Sequence, residues 1–279
     1  GFKYLLFGAM TTAIMLYGVS ILYGLTGTID LAVMGAADGS GMPAGLVNQV
    51  TASPVPVAIA VVLILAGFAY KVSVAPFHFW TPDVYEGAPT PVTTFLAVAS
   101  KAAGFGVLLR FLGALFLRDD VQQAVRDYGD RIGLLLAILA AITMVLGNLA
   151  ALRQPSLKRM LAYSSIAHAG YVLVGIACMS ERGFSAAMYY LAASYFMNLG
   201  AFGFLLYFEV TGQETIARLK GMGAKAPVIS IAMVAFLVSL TGLPPTVGFY
   251  GKYLLFVEGW AAGLGWLVLL MGLLSAVSL

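Results

Sequence analysis

The stretch VVLILAGFAYKVSVAPFHFW, residues 61–80, places a lysine and a proline inside a run that is otherwise apolar enough for a membrane-spanning helix. Two more apolar stretches contain a lysine, at 91–109 and 240–256. An ammonium near the centre of a bilayer costs roughly 2.5–3.5 kcal/mol on insertion scales, and a lysine in low dielectric loses its proton more readily than one in water. These residues therefore indicate proton or cation movement through a membrane. They are Lys71, Lys101 and Lys252.

The composition indicates an integral membrane protein made of helices. Hydrophobic residues make up 61% of the chain and charged residues 10%, against roughly 45–50% and 25% in soluble domains. Windows of about 20 apolar residues predict eight transmembrane helices that form one all-α bundle without a soluble domain. The predicted spans are 3–26, 55–79, 91–117, 132–152, 159–180, 184–211, 227–257 and 259–279.

The distribution of charge predicts which end of each span faces the cytoplasm. Two loops on one side are basic, whereas the loops on the other side mix basic residues with acidic ones or, like 27–54, hold no Lys or Arg. The positive-inside rule then places residue 1 on the cytoplasmic side. The basic side carries Lys3, Arg153, Lys158, Arg159, Arg218, Lys220 and Lys225, and the mixed side carries Arg118, Arg126, Arg131 and Arg182.

The sequence offers no means of holding a redox cofactor. Its one cysteine, Cys178, has no partner, and no thiolate cluster or histidine pair could bind a metal or iron–sulfur centre. No glycine-rich nucleotide loop is present either. The chain begins at the mouth of a span and stops inside an apolar run, so we expect an excerpt of a longer membrane protein.

Two of the predicted spans contain breaks. Pro76 interrupts the second span, and the segment Gly242 to Pro245 interrupts the seventh. Unpaired backbone at membrane depth is tolerated only inside protein or beside a water-filled cavity, so both breaks predict a buried polar interior. Broken helices five spans apart run in opposite directions, which favours an inverted-repeat transporter fold over isolated proline kinks.

The polar residues inside the spans are candidates for a proton relay. Lys101 lies mid-span, too deep to reach water by snorkelling, and a structural ion pair is the alternative to proton transfer. Lys252 follows the double-proline break, where a water-filled pocket is expected. His168, one turn after Ser164 and Ser165, is either a relay group or a packing hydrogen bond.

The remaining candidates lie toward the predicted cytoplasmic side. On a continuous helix Lys71 and His78 would lie two turns apart on one face, although Pro76 separates them. His78, next to the aromatic pair Phe79-Trp80, is either a relay group or an interfacial residue, and Lys3 is an anchor or an ion-pair member. No span has an acidic residue at its centre. A carboxylate partner for these lysines is therefore expected from missing sequence or from a neighbouring subunit.

Four stretches of the sequence resemble a known family. They are KVSVAPFHFWTPDVYEGAPTPVTTFLAVASKAAGF at 71–105, LKRMLAYSSIAHAGYVLVG at 157–175, YFMNLGAFG at 195–203 and LTGLPPTVGFYGKYLLF at 240–256. They are similar to the subunit N family of bacterial NADH-quinone oxidoreductases, the antiporter-like subunits in the membrane arm of respiratory complex I. The resemblance implies helices six to thirteen of a fourteen-helix chain, with 1–117 ending the first repeat and 132–279 forming the second.

The resemblance also implies roles for the candidate residues. Lys71 would be the lysine of the broken seventh helix, Lys101 the central lysine and Lys252 the terminal one, with His78 and His168 on the hydrated axis. Lys3 matches a lysine at the start of the sixth helix. Quinone reduction elsewhere in the complex would drive charge shifts along this row by Coulomb coupling. The glutamate that pairs with the first lysine in the family would lie upstream of residue 1.

The family implies partners but no cofactor in this chain. NADH, FMN, iron–sulfur clusters and quinone would belong to other subunits, and the direct neighbours would be another antiporter-like subunit and small membrane subunits in the bacterial inner membrane. No nucleic acid is expected. The photosynthetic relative, which serves a ferredoxin-fed plastoquinone complex, tends to have glutamine at the position of His168, which favours the respiratory subunit. Cation/proton antiporters share the lysine pattern and are a further alternative.

Overall fold

The chain forms a bundle of membrane-length helices. The computed structural model describes residues 1–34, 49–50, 53–117, 123–210 and 216–278. The charged residues Asp38, Arg118, Asp119, Asp120 and Glu214 lie outside them, and so do the predictions that involve them. The longer helices are α1 (Phe2–Thr26), α3 (Pro54–Val72), α6 (Lys101–Phe116), α7 (Gln123–Ala151), α8 (Leu157–Ala177), α9 (Glu181–Val210), α11 (Pro227–Thr241), α12 (Val247–Ala261) and α13 (Gly265–Val277).

Short elements connect these helices. They are α2 (Leu31–Met34), α4 (Trp80–Gly87), α5 (Thr90–Phe95), a 3₁₀ turn (Ile216–Leu219) and α10 (Met222–Lys225). A π-helical turn at Leu96–Ser100 joins α5 to α6, so the two form one membrane-length helix. Within the described ranges six helices are long and apolar enough to cross a membrane, and α11 and α13 are shorter apolar helices. The multi-pass helical architecture predicted from composition is confirmed, and about eight crossings fit it.

The break in the second span lies earlier than Pro76. Helix α3 ends at Val72, where Ser73 adopts a left-handed conformation with φ 64°, and the chain turns until α4 begins at Trp80. The helix is not continuous, so Lys71 and His78 do not share a helix face: Lys71 lies at the end of α3 and His78 in the connection. Trp80, the first residue of α4, is 2% exposed and its indole N–H donates to the carbonyl of Tyr70 at 3.1 Å.

The break in the seventh span lies where the glycine and prolines predict it. Helix α11 ends at Thr241, Gly242 takes a left-handed conformation with φ 85°, and α12 begins at Val247. A side chain other than glycine is strained at this φ. The break leaves the last carbonyl groups of α11 without helical partners, and these become available to a donor inside the bundle.

Helix α8 lies at the centre of the bundle. It packs against α4, α7, α9 and α12, and it is the most deeply buried of the membrane-length helices that are described. Its contact with α7 is close because Gly147 faces the backbone of Ala167, where a Cβ atom would approach the Ala167 nitrogen to 2.5 Å. The next residue along α8 is His168, so this close packing fixes the backbone that carries the histidine.

Candidate functional site

Lys101 is a buried cation on the first turn of α6, directly after the π-helical turn. Its side chain is 4% exposed, and its ammonium donates to the carbonyl of Ser165 at 3.0 Å and to the hydroxyl of the same residue at 2.7 Å. No carboxylate in the described ranges forms an ion pair with it. The structural ion pair considered for Lys101 is therefore not found among these residues. Single π-turns inside α-helices frequently mark functional positions.

Lys252 is held by the helix break that precedes it. Its ammonium donates to the carbonyl of Thr241 at 2.8 Å and to that of Leu240 at 3.3 Å, and it lies 4.6 Å from the ring centroid of Tyr171. The carbonyl groups belong to the last turn of α11, where the helix dipole favours a positive charge. The aromatic face adds a cation–π contact. The double-proline break therefore provides a polar site for a lysine that is 7% exposed.

His168 lies between two tyrosines in the core. Its Nδ1 atom is 2.6 Å from the hydroxyl of Tyr190, whose ring stacks on the imidazole, and the ring of Tyr171 meets it edge-on with centroids 5.6 Å apart. The hydroxyl of Tyr171 also accepts from the side-chain amide of Asn148 at 3.0 Å. The packing hydrogen bond at one ring nitrogen leaves the other available for proton transfer, so the structure is compatible with both a packing role and a relay role for His168.

Two cavities meet at His168. The larger, about 380 Å³, is bordered by His168, Lys252, Ser164 and Tyr171 and extends to Gln154 near the start of α8. The smaller, about 20 Å³, is bordered by Lys101, Ser165 and His168 together with Ser194, Tyr195 and Asn198 of α9. Three of the predicted residues, Lys101, His168 and Lys252, thus border two cavities that share His168 in their walls.

Lys71 and His78 lie apart from these two cavities. Lys71 is exposed and borders a surface groove of about 720 Å³ between α1, α3 and α6. His78 is half-buried, and its Nδ1 atom has no hydrogen-bond partner in the described part of the chain. For Lys71, too, no carboxylate partner is found among the described residues.

Lys3 is an ion-pair member. Its ammonium binds the carboxylate of Asp83 on α4, and Arg159 of α8 contacts Asp83 at 3.2 Å and Glu86 at 2.7 Å. The hydrogen bond from Lys3 lowers the pKa of the Asp83 carboxyl. The four charges join the ends of α1, α4 and α8 at one edge of the bundle.

Sequence reasoning missed several residues of the site. Tyrosine is a common residue in this chain, and nothing in the spacing of Tyr171, Tyr190 and Tyr195 distinguishes them from the others. Asn198 is equally unmarked. Lys158 was assigned to a basic loop, yet its side chain is 5% exposed. Among the described residues no group of three His, Cys, Asp or Glu side chains could hold a metal ion.

Comparison with known proteins identifies the family. The family described as NADH:quinone oxidoreductase/Mrp antiporter, transmembrane, matches residues 1–278. The chain belongs to this family. It is similar to NADH-quinone oxidoreductase subunit N 2 of Sorangium cellulosum, with 47% identity over 99% of the chain and 54% of that protein. It is also similar to NAD(P)H-quinone oxidoreductase subunit 2 of Synechococcus sp. strain CC9311, with 45% identity over 99% of the chain and 49% of that protein.

A solved structure of an assembled complex shares the fold. One chain of respiratory complex I from Thermus thermophilus with bound aureothin matches with 37% identity and a TM-score of 0.77, covering 99% of this chain and 56% of that one. The chain spans about half the length of the curated relatives that it matches. Family membership and the membrane-spanning helices make it part of a multi-pass membrane protein.

Proposed function

We propose that the chain is part of a proton-translocating membrane-arm subunit of an NADH-quinone oxidoreductase. The observation that carries this proposal is the position of His168, which borders both the Lys101 cavity and the Lys252 cavity. Protons would move along Lys101, His168 and Lys252, and quinone reduction elsewhere in the complex would supply the energy. The similarity to subunit N proteins and to a respiratory complex I chain supports the assignment.

The contacts of Lys101 and Lys252 would allow each side chain to gain and lose a proton. Each ammonium is held by carbonyl or hydroxyl oxygens, and no described carboxylate fixes either charge. Two like charges in a low-dielectric interior repel each other more strongly than in water, so protonation of Lys101 would favour proton release from Lys252. Because Tyr190 engages Nδ1, His168 would take up and release the relayed proton at Nε2, the ring nitrogen left for proton exchange.

Lys71 and His78 would serve the first half of the path. Lys71 is exposed in the groove beside α1 and α6. We propose that a part of the full-length protein that this chain does not include supplies a carboxylate for it. The division into repeats, with 1–117 ending the first and 132–279 forming the second, belongs to the same proposal. Lys3, already paired with Asp83, would anchor α1.

The location and partners follow from this assignment. The full-length protein would lie in the bacterial inner membrane with residue 1 on the cytoplasmic side, next to another antiporter-like subunit and small membrane subunits. NADH, FMN, iron–sulfur clusters and quinone would be bound by partner subunits. The larger cavity reaches Gln154 in the loop between α7 and α8, on the side predicted to be cytoplasmic, so proton exchange of Lys252 would face that side.

Two observations favour related alternatives. The Synechococcus relative is 45% identical, close to the 47% of the Sorangium protein, so a ferredoxin-fed photosynthetic complex is the second candidate. The family description also includes Mrp antiporters, which makes a cation/proton exchanger the third.

Gentle solubilisation of native membranes separates these candidates. The full-length protein is expected to migrate on a native gel with NADH-oxidising, quinone-reducing activity. Migration with ferredoxin-dependent activity would move the assignment to the photosynthetic complex. Sodium- or potassium-driven proton flux in vesicles without NADH oxidation would instead identify an antiporter.

A further inference from the structure

The small cavity beside Lys101 is large enough for a single water molecule. Its volume is about 20 Å³, and roughly 10–15 Å³ suffices for one water when polar partners surround it. A buried water usually makes about three hydrogen bonds. The chemistry of the wall therefore determines whether this space binds water.

Two residues on the wall each have a polar side-chain atom without a hydrogen-bond partner within the described ranges. These atoms are the side-chain oxygen Oδ1 of Asn198 and the hydroxyl of Tyr195, both fully buried atoms. The amide nitrogen of Asn198 donates to the carbonyl of Ser194 at 2.7 Å. Because a carbonyl oxygen only accepts, this bond fixes the amide orientation and leaves Oδ1 as an unpaired acceptor.

Lys101 supplies a matching donor. Its ammonium has three N–H groups, and two of them donate to the carbonyl and the hydroxyl of Ser165. The third N–H is left for another acceptor. Asn198, Tyr195 and Lys101 thus present an acceptor, a hydroxyl and a donor around one space, with His168 on the same wall.

We propose that Asn198 and Tyr195 are positioning residues that hold one water molecule between Lys101 and His168. The water would accept from the ammonium and from the Tyr195 hydroxyl, and would donate one O–H to Oδ1 of Asn198 and the other to the free ring nitrogen of His168. In proton transfer Lys101 gives its proton to the water, and the water passes one of its own protons to His168. The inference rests on the proposed function, because it supplies the link between two members of that relay.

Tyr195 also separates this water site from the outside of the bundle. Tyr195 and Leu191 border both the small cavity and a surface groove of about 580 Å³ between α6 and α9. The Tyr195 side chain therefore lies between the cavity and the groove, and its hydroxyl is available for a hydrogen bond. Replacing Tyr195 by phenylalanine keeps the first role and removes only the second.

The test uses the full-length protein in its native complex, with Tyr195→Phe and Asn198→Leu as variants. The rate of NADH-driven proton translocation is measured in inverted membrane vesicles, in H₂O and in D₂O. Each variant is expected to translocate protons about fivefold more slowly, the factor that corresponds to one lost buried hydrogen bond, and to show a larger solvent isotope effect. A purely structural role would not change the isotope effect. Tyr128→Phe, on α7 outside both cavities, is the matched control and should leave both values unchanged.

The outcomes separate this inference from the function on which it rests. Unchanged translocation and isotope effect in Tyr195→Phe and Asn198→Leu, together with loss of translocation in Lys101→Ala, would overturn the water site and leave the proposed function standing. Normal translocation in Lys101→Ala would overturn both. If Asn198→Leu does not assemble, Asn198→Ser replaces it, and this variant should retain more translocation than Tyr195→Phe because its hydroxyl can still bind the water.

Discussion

The Nδ1 atom of His168 lies 2.6 Å from the hydroxyl oxygen of Tyr190, and the two rings stack with their centroids 5.9 Å apart. The contact joins α8 to α9 at the histidine that borders both cavities. It fixes the orientation of the imidazole, and so determines which ring nitrogen is free for proton exchange. Tyr190 is therefore a determinant of the relay even though it borders neither of the two cavities.

The first prediction concerns Tyr190→Phe. Loss of one buried hydrogen bond should lower the free energy of unfolding by about 1 kcal/mol, and a freely rotating imidazole should slow proton translocation about fivefold. Thermal unfolding and translocation in vesicles measure the two effects. The exposed Tyr253, changed to phenylalanine, serves as the control. Unaltered translocation in Tyr190→Phe would separate the histidine from the proton path.

The second prediction concerns the packing of the broken helix. A Cβ atom at Gly248 would lie 1.8 Å from the carbonyl oxygen of Ser239, so Gly248→Ala forces α12 away from α11. Overpacking of this kind costs about 1–3 kcal/mol or more, and the displaced Lys252 should lose its carbonyl contacts. A lower unfolding temperature and slower translocation are expected.

Gly203 provides the control for that substitution, because a Cβ atom there meets nothing within 4 Å. Gly203→Ala should not lower the unfolding temperature, since alanine is the better helix former by about 1 kcal/mol. Equal unfolding temperatures for Gly248→Ala and the unmodified protein would contradict the close packing of the two half-helices.

The helical fold could be predicted from the sequence because composition determines it. The polar axis depends on residues that are rare in lipid, and its role in proton transfer stays a prediction. Lysines and prolines inside apolar runs identified Lys101, Lys252 and the break at Gly242 without any knowledge of tertiary contacts. The end of α3 was placed too late because Pro76 was taken as the break. The helix already ends at Val72, before the left-handed Ser73.

Tertiary neighbours could not be predicted from one sequence. Tyr190 lies 22 residues from His168, and no periodicity connects two tyrosines on different helices to one imidazole. Lys158 was assigned to a loop, but it lies in the first turn of α8 and is 5% exposed. A basic residue at a helix start has the same sequence signature whether it faces water or protein.

The third prediction concerns pH and the ion cluster of Lys3, Asp83, Arg159 and Glu86. Lys3 lowers the pKa of Asp83 in the folded protein, so the ionised carboxylate stabilises the fold above the unfolded-state pKa of about 3.9. This stabilisation is lost as the pH falls through the lower, folded-state pKa. Asp83→Asn should therefore reduce the unfolding temperature at pH 7 and weaken its decline in acid.

Unfolding temperatures between pH 2 and pH 7 measure this effect, with the exposed Asp130→Asn as the control. The control should follow the pH dependence of the unmodified protein. Identical curves for Asp83→Asn and the unmodified protein would mean that the ion pair with Lys3 contributes nothing to stability.

The most direct test of the account is the number of protons translocated per NADH oxidised in inverted vesicles from cells that carry Lys101→Ala in the full-length protein. Lys225→Ala, an exposed lysine outside the cavities, is the matched control. We expect Lys101→Ala to assemble and to lose most of the translocation, with the control unaffected. Full translocation by an assembled Lys101→Ala complex would contradict the central claim that the buried lysine carries the proton.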